Sequence, residues 1–354
     1  MDNLKRLPSF YKRSYLQRAG RIVGILVVFL AIISGLTWTL GSKAKADLAA
    51  KYPPPGQMVD VGGYRIHIYC QGEGSPTVVM DAGAGDFSLT WALVQPEVAE
   101  LTRVCVYDRA GLGWSELSPK SRTAHNIVEE LHTLLTKAGI EGPYVLVGQS
   151  MGGLHMRLYA HEYTDEIVGM VLIDATPDER DSRFPEAYVQ ALEHEAKKEV
   201  RLLHLAKLLN TIGLLALFDW YPDQYLPGLP QATRETYKGV ILSDTKYFEG
   251  AADEVTSHAE SRAQVQAAQI ITLGDIPLVV LTRGASATSD TSDLPAEAVQ
   301  QRESIWREMQ AELAALSTSG KLIIAEQSSH NIHHDQPELV IDAIRQVVEA
   351  VRRK

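Results

Sequence analysis

Eight short stretches of this 354-residue chain are continuous runs of mainly Val, Ile, Leu, Met and Tyr, and helix-like segments separate most of them. They are the two arms of "MVDVGGYRIHIYC" (58–70), then "TVVMDAG", "RVCVYDRAG", "YVLVGQS", "VGMVLIDA", "IPLVVLT" and "KLIIAEQ". A strand that is apolar along its whole length must be covered on both faces. The pattern therefore predicts an α/β fold: a mostly parallel eight-stranded sheet with helices on both sides. The alternation stops between Thr176 and Asp275, where about a hundred residues read as helix and loop. This predicts a core from residues 58–175 and 276–354, with 176–275 inserted as a helical lid over one end of the sheet. "RGASATSDTSD" (283–293) is polar and reads as a loop.

The N-terminus has a different character. Residues 1–21 carry six basic side chains against Asp2, a charge of +5, so the rest of the chain holds −15 of the net −10. That acidic remainder argues against a nucleic-acid partner. "IVGILVVFLAIISGLTWTL" (22–40) follows without a charge, and 19 residues rising about 1.5 Å each span roughly the 30 Å hydrocarbon layer. A basic cytoplasmic tail (1–21), a transmembrane signal-anchor helix (22–41) and a linker (42–57, ending in the stiff "KYPPPGQ") are expected, with the remaining domain outside the cytoplasm. The rival is a secreted protein cleaved after "AKA", near Ala46; against it, the apolar stretch exceeds the 7 to 15 residues usual in a signal peptide. Cys70 and Cys105 are the two cysteines and have no zinc-ligand spacing, so no metal site is expected.

"GQSMG" (148–152) sits between the apolar run "YVLV" and the helix-like "GGLHMRLYAHEY". A serine at such a strand-to-helix turn is held strained with its oxygen above the sheet, the geometry of a nucleophile elbow. A serine hydroxyl needs a base, and a histidine of ordinary pKa suits that work near neutral pH. His330 follows the last strand and precedes a D-x-x-E capping box at Asp335–Glu338 with Pro337 in the first turn, which sets it on a loop at the strand's C-terminal end. His333 and His334 are expected to face solvent or the lid, and His155 to point away. The backbone N–H of Met151, just after Ser150, can donate to an oxyanion.

With "VVMDAGAGDFSLTW", "VYDRAGLGWS" and "SSHNIHHDQPELVIDAI", the elbow gives four motifs in the order found in the α/β-hydrolase superfamily. The chain resembles that family's lidded serine hydrolases from Met58 to its C-terminus. The resemblance implies a catalytic triad on Ser150 and His330, an oxyanion hole from the main chain of Ala84 and Met151, and no cofactor. It leaves the acid open, because the loop after "IPLVVLT", where the family most often carries it, has no carboxylate at the expected place. Asp174, at the end of "VGMVLID", is the first choice; Asp290 and Asp293 are the alternatives. In this fold the second and fourth strands are neighbours, which makes Cys70 and Cys105 a candidate disulfide. Asp108 and Arg109 are expected to form a structural ion pair or turn clamp beside the site.

The apolar, aromatic lid segment "IGLLALFDWYPDQYLPGLP" suggests a hydrophobic, small-molecule acyl substrate. A membrane-anchored serine esterase or lipase-like hydrolase is the reading these features give. Acyl transfer, cofactor-free haloperoxidase or C–C hydrolase chemistry would use the same residues, and a non-catalytic binding module could retain the fold. Epoxide hydrolases and dehalogenases are disfavoured because the family's members with those activities carry Asp at the elbow.

Overall fold

The computed structural model describes residues 9–221, 226, 228–284 and 296–354. Its strands are β1 (Gln57–Asp60), β2 (Arg65–Gln71), β3 (Thr77–Asp81), β4 (Val104–Tyr107), β5 (Tyr144–Gln149), β6 (Ile167–Ile173), β7 (Leu278–Arg283) and β8 (Gly320–Ala325). They form one sheet in the order β1-β2-β4-β3-β5-β6-β7-β8. β1, β2 and β4 pair antiparallel, and every pairing from β4 through β8 is parallel. This is the α/β sheet that the apolar runs predict, in the α/β-hydrolase arrangement that the motif resemblance implies.

The helices are α1 (Ser9–Lys51), α2 (Gln95–Ala99), α3 (Ala124–Lys137), α4 (Met151–Glu162), α5 (Arg180–Arg183), α6 (Glu186–Thr211), α7 (Leu214–Leu217), α8 (Gln231–Ser243), α9 (Lys246–Ala267), α10 (Ala296–Ala315), α11 (Ile332–Asp335) and α12 (Pro337–Arg352). Alternate strand residues feed two separate cores. Val79, Leu146, Met170 and Val280 pack with α3 and α4, whereas Val78, Val147, Val171 and Leu281 pack with α2 and α12. The side-chain period of two thus explains why the strands read as unbroken apolar runs.

Cys70 and Cys105 stand directly opposite in the β2–β4 ladder and form a disulfide across 35 residues of sequence. Replacing both by Ala, or reducing the bond, is expected to remove about 2–4 kcal/mol of stability, since closing such a loop restricts the unfolded chain. The urea midpoint measures the loss; intact protein lighter by two hydrogens before reduction than after verifies the bond.

The expected linker over 42–57 is corrected in its first ten residues: α1 runs on to Lys51. "SKAKADLAAK" is rich in good helix formers and holds no Gly or Pro, so nothing stops the helix before Pro53. Its Ala44 and Leu48, with Tyr52 just beyond, pack on a cluster of Leu215, Tyr237, Val240 and Ile241 from the helices inserted between β6 and β7. The chain then crosses to the core, where Trp114 Nε1 donates to the Tyr52 carbonyl at 2.9 Å. The apolar segment 22–40 is exposed wherever its side chains are described, apart from half-buried Thr37, and is long enough to cross a membrane.

Candidate active site

Ser150 lies between β5 and α4 with φ 52° and ψ −118°, a left-handed conformation that ordinary side chains avoid. Its glycine neighbours are required by close approach. A Cβ on Gly148 would fall 2.5 Å from the Gly153 nitrogen, and one on Gly152 would fall 2.4 Å from the Asp81 carbonyl oxygen. β5 and α4 therefore meet in a turn too tight for any other residue at those places.

Asp174 ends β6, the neighbouring strand, also at positive φ (41°). Its carboxylate is fully buried, and among the described residues every hydrogen-bond partner it has is a donor. Oδ1 accepts from Trp306 Nε1 (2.8 Å), Thr282 Oγ1 (3.2 Å) and the Arg283 N–H (3.2 Å); Oδ2 accepts from Arg283 Nη1 (2.5 Å) and His330 Nδ1 (2.6 Å). Burial alone would raise its pKa, but the His330 hydrogen bond and the Arg283 charge outweigh that and hold it below the usual carboxylate range. An ionised carboxylate can only accept, so Nδ1 of His330 carries the proton and, in the neutral ring, Nε2 keeps its lone pair. The His330 carbonyl accepts from Gln149 Nε2 at 3.3 Å, which ties the histidine loop to the residue before Ser150. Asp290 and Asp293 lie outside the described residues.

Arg109 organises the loop after β3. Its guanidinium is buried and donates to Asp81 Oδ1 (2.6 Å), Glu254 Oε1 (2.6 Å) and Oε2 (3.0 Å), and to the carbonyls of Ala82 (2.8 Å) and Gly83 (2.7 Å). Glu254, on α9, accepts in turn from the Gly85 N–H at 2.9 Å. In a planar trans peptide the C=O and N–H point opposite ways, so turning the Gly83 carbonyl to Arg109 aims the Ala84 N–H away from it. Gly83 abuts the elbow: an added Cβ would sit 3.4 Å from Ser150 Cβ. Met151 begins α4, where the first N–H groups have no acceptor within the helix.

Two expectations are corrected here, and that for Asp108 and Arg109 holds as a turn clamp rather than an ion pair. The two do not pair with each other: Asp108 accepts from the Ser88 and Trp114 N–H groups, both at 2.9 Å, and lies 2.9 Å from His67 Nδ1, while Arg109 holds the Ala82 and Gly83 carbonyls. Adjacent residues at a strand end point to opposite faces, which sends the two side chains to different partners. His333 and His334 are buried rather than solvent-facing, each 2.9 Å from Thr90 Oγ1. Burial lowers the pKa of both. Asp335 is not the cap of α12, which is Gln336; its Oδ2 accepts from Ser329 N–H and Oγ, bracing the loop that carries His330. His155 turns to Asp81 (Nδ1 to Oδ2, 2.9 Å), on the Arg109 network rather than on Ser150.

Sequence reasoning passed over Trp306, Arg283 and Glu254. It also passed over Asp86, whose Oδ1 accepts from the Tyr237 hydroxyl of α8 at 2.8 Å, where Tyr237 stacks on Phe87 with ring centres 4.1 Å apart. Burial pushes the Asp86 carboxyl up to about 6. The folded state therefore keeps a proton that the unfolded chain releases near pH 4, so this group's contribution makes stability fall as pH rises from about 4 to about 6. Asp86→Asn is expected to gain up to about 3 kcal/mol over the wild type at pH 8 and nothing at pH 3.5, seen as the difference between the two Tm-versus-pH curves. Parallel curves would refute it.

A cleft of about 560 Å³ between α6 and α9 contains none of Ser150, Asp174 or His330, so side-chain geometry rather than cavity size locates the site. The profile of the Alpha/beta hydrolase family matches residues 78–343. An uncharacterized protein of Bacillus subtilis, YqjL, is 27% identical over 277 residues, 78% of this chain and 85% of that one. Among solved structures, a thermophilic esterase from Thermogutta terrifontis superposes with a TM-score of 0.55 at 23% identity, covering 83% of this chain and 98% of its own. The epoxide hydrolase CorEH superposes with a TM-score of 0.59 at 17% identity over the same shares. The chain thus belongs to the Alpha/beta hydrolase family and is a hydrolase.

Proposed function

We propose that the protein is a membrane-anchored serine hydrolase that cleaves an ester-type substrate with a hydrophobic acyl group through an acyl-enzyme on Ser150. His330 Nε2 takes the Ser150 proton as Oγ attacks the carbonyl carbon, then gives it to the departing alcohol. Water, deprotonated by the same nitrogen, attacks the acyl-enzyme and releases the acid. Asp174 fixes the tautomer and stabilises the imidazolium without accepting its proton. The Ala84 and Met151 N–H groups bind the tetrahedral oxyanion, each such donor being worth about 2.7 to 4 kcal/mol.

The observation that carries this reading is the 2.6 Å contact between His330 Nδ1 and the buried Asp174 carboxylate, because it leaves Nε2 as the free base. Serine at the elbow, where the resemblance gives aspartate for epoxide hydrolases, supports acyl chemistry. The aromatic and aliphatic lid interior supports an apolar acyl group. The exposed apolar stretch of α1, the basic residues before it and a disulfide suited to an oxidising compartment support an anchor with its N-terminus in the cytoplasm and the hydrolase domain outside.

A fluorophosphonate probe tests the reaction class. Wild type should label and Ser150→Ala should not; a folded wild type that fails to label would sink the proposal. A series of chromogenic esters of rising acyl length tests the substrate, kcat/KM being expected to rise with chain length.

A further inference from the structure

We propose that the outer face of the lid is a membrane-interface surface that seats in the headgroup region of the bilayer crossed by α1. The inference rests on the anchoring reading above. Leu202, Leu205, Leu208 and Ile212 recur three or four residues apart along α6 and its end, so they form a stripe about a third of the helix circumference wide. A lid helix facing water would be polar there. Three of these side chains are instead 50 to 61% exposed, and Phe218 and Trp220, just past α7, are exposed to 72% and 60%. Contiguous exposed apolar groups on this scale mark an interaction site rather than ordinary surface.

The position of the stripe identifies the partner. Gly213, directly after Ile212, abuts Gly41: a Cβ on either would fall 2.4 Å from the other's Cα. Gly41 immediately follows the apolar segment 22–40, whose Leu36, Trp38 and Leu40 are exposed as well. The lid patch therefore begins at the level where α1 leaves the hydrocarbon, and continues the same apolar surface onto the domain. Trp38 lies three residues before Gly41, and exposed Trp220 lies seven residues after Gly213. Aromatic rings collect at that depth because an apolar body and a polar N–H suit the boundary. Helices that lie in the interface carry Leu, Phe and Trp on the buried face. The charges of α6 are balanced, Lys197, Lys198, Arg201 and Lys207 against Glu186, Glu193, Glu195 and Glu199, so the apolar stripe alone carries the seating. The lid then rests on a bilayer, a source of hydrophobic esters.

The test uses the full chain in phosphatidylcholine nanodiscs. The native cysteines are bonded to each other, so a single introduced cysteine can carry an environment-sensitive fluorophore. The sites are Phe218→Cys and Leu208→Cys on the lid, Leu36→Cys within α1, and Glu349→Cys on the distant helix α12. Adding lipid spin-labelled near the headgroup should quench the two lid sites at least about two-fold and leave the Glu349 site unchanged. Quenching at Leu36 with none at Phe218 and Leu208 overturns the lid surface while the anchor stands. No quenching at Leu36 overturns the anchor and this inference with it. Blue-shifted emission at Phe218 without quenching means that protein, such as a second copy of the chain, covers the patch, and overturns the proposal.

Discussion

Asp174→Asn is expected to lower kcat about 10⁴-fold with KM nearly unchanged, because an amide can present its NH₂ to Nδ1 and stabilise the wrong histidine tautomer. Asp290→Asn combined with Asp293→Asn should leave kcat within about two-fold, since the donors around Asp174 already complete the acid's environment. Asp174 is the nearer counter-charge of the buried Arg283, with Glu303 Oε1 at 3.5 Å from it as well, so the Asn variant should lose stability, by less than the about 3–5 kcal/mol that a wholly unpaired buried charge costs. Rates must therefore be measured well below the variant's Tm, with kcat and KM separated. A ten-fold loss or less in Asp174→Asn, with a large loss in the double variant, would move the acid to the loop after β7.

The second large effect lies at Arg109. Arg109→Leu leaves Asp81 and Glu254 buried without their counter-charge, and removing one partner of a buried pair typically costs 3–5 kcal/mol. It also frees the Ala82 and Gly83 carbonyls, so the loop bearing Ala84 should lose its orientation and kcat should fall by about ten-fold or more. Arg109→Lys restores the charge but not the planar fork that reaches both carboxylates and both carbonyls, and should fall between the two. Urea unfolding checks the first effect and single-turnover kinetics the second. A Leu variant within about 1 kcal/mol of wild type would show that the network contributes little net stability.

What could be read in advance divides along physical lines. The eight strands were legible because each is buried on both faces and so announces itself as a continuous apolar run. Ser150 was legible because the elbow is a local device: its glycines lie within two residues of it, and the reason they are needed is a clash inside the same turn. Asp174, the proposed acid, was ambiguous because an Asp at a strand end is equally a turn former; the donor shell that supports it includes Trp306, 132 residues away on a helix where a tryptophan reads as core. Glu254 is a comparable case, 145 residues from Arg109 and on α9, whose charges look solvated in sequence. The extension of α1 through residues 42–51 was not legible because the helix formers there carry no boundary signal of their own, and the prolines from Pro53 onward mark only where a helix must already have ended.

The spacing of the three proposed catalytic groups along the chain has a consequence for folding. Ser150 and Asp174 sit at the ends of β5 and β6, paired strands joined through α4, so one short local unit positions both. His330 meets Asp174 only across 156 residues. Closing that longer loop costs roughly 2 kcal/mol more in chain entropy than closing the 24 residues between Ser150 and Asp174. Local pairings of this kind form before distant ones when the rest is equal. The nucleophile turn and its acid can thus be assembled in a chain that still lacks its base, and hydrolysis reports the arrival of the last strand and helix rather than the making of the elbow.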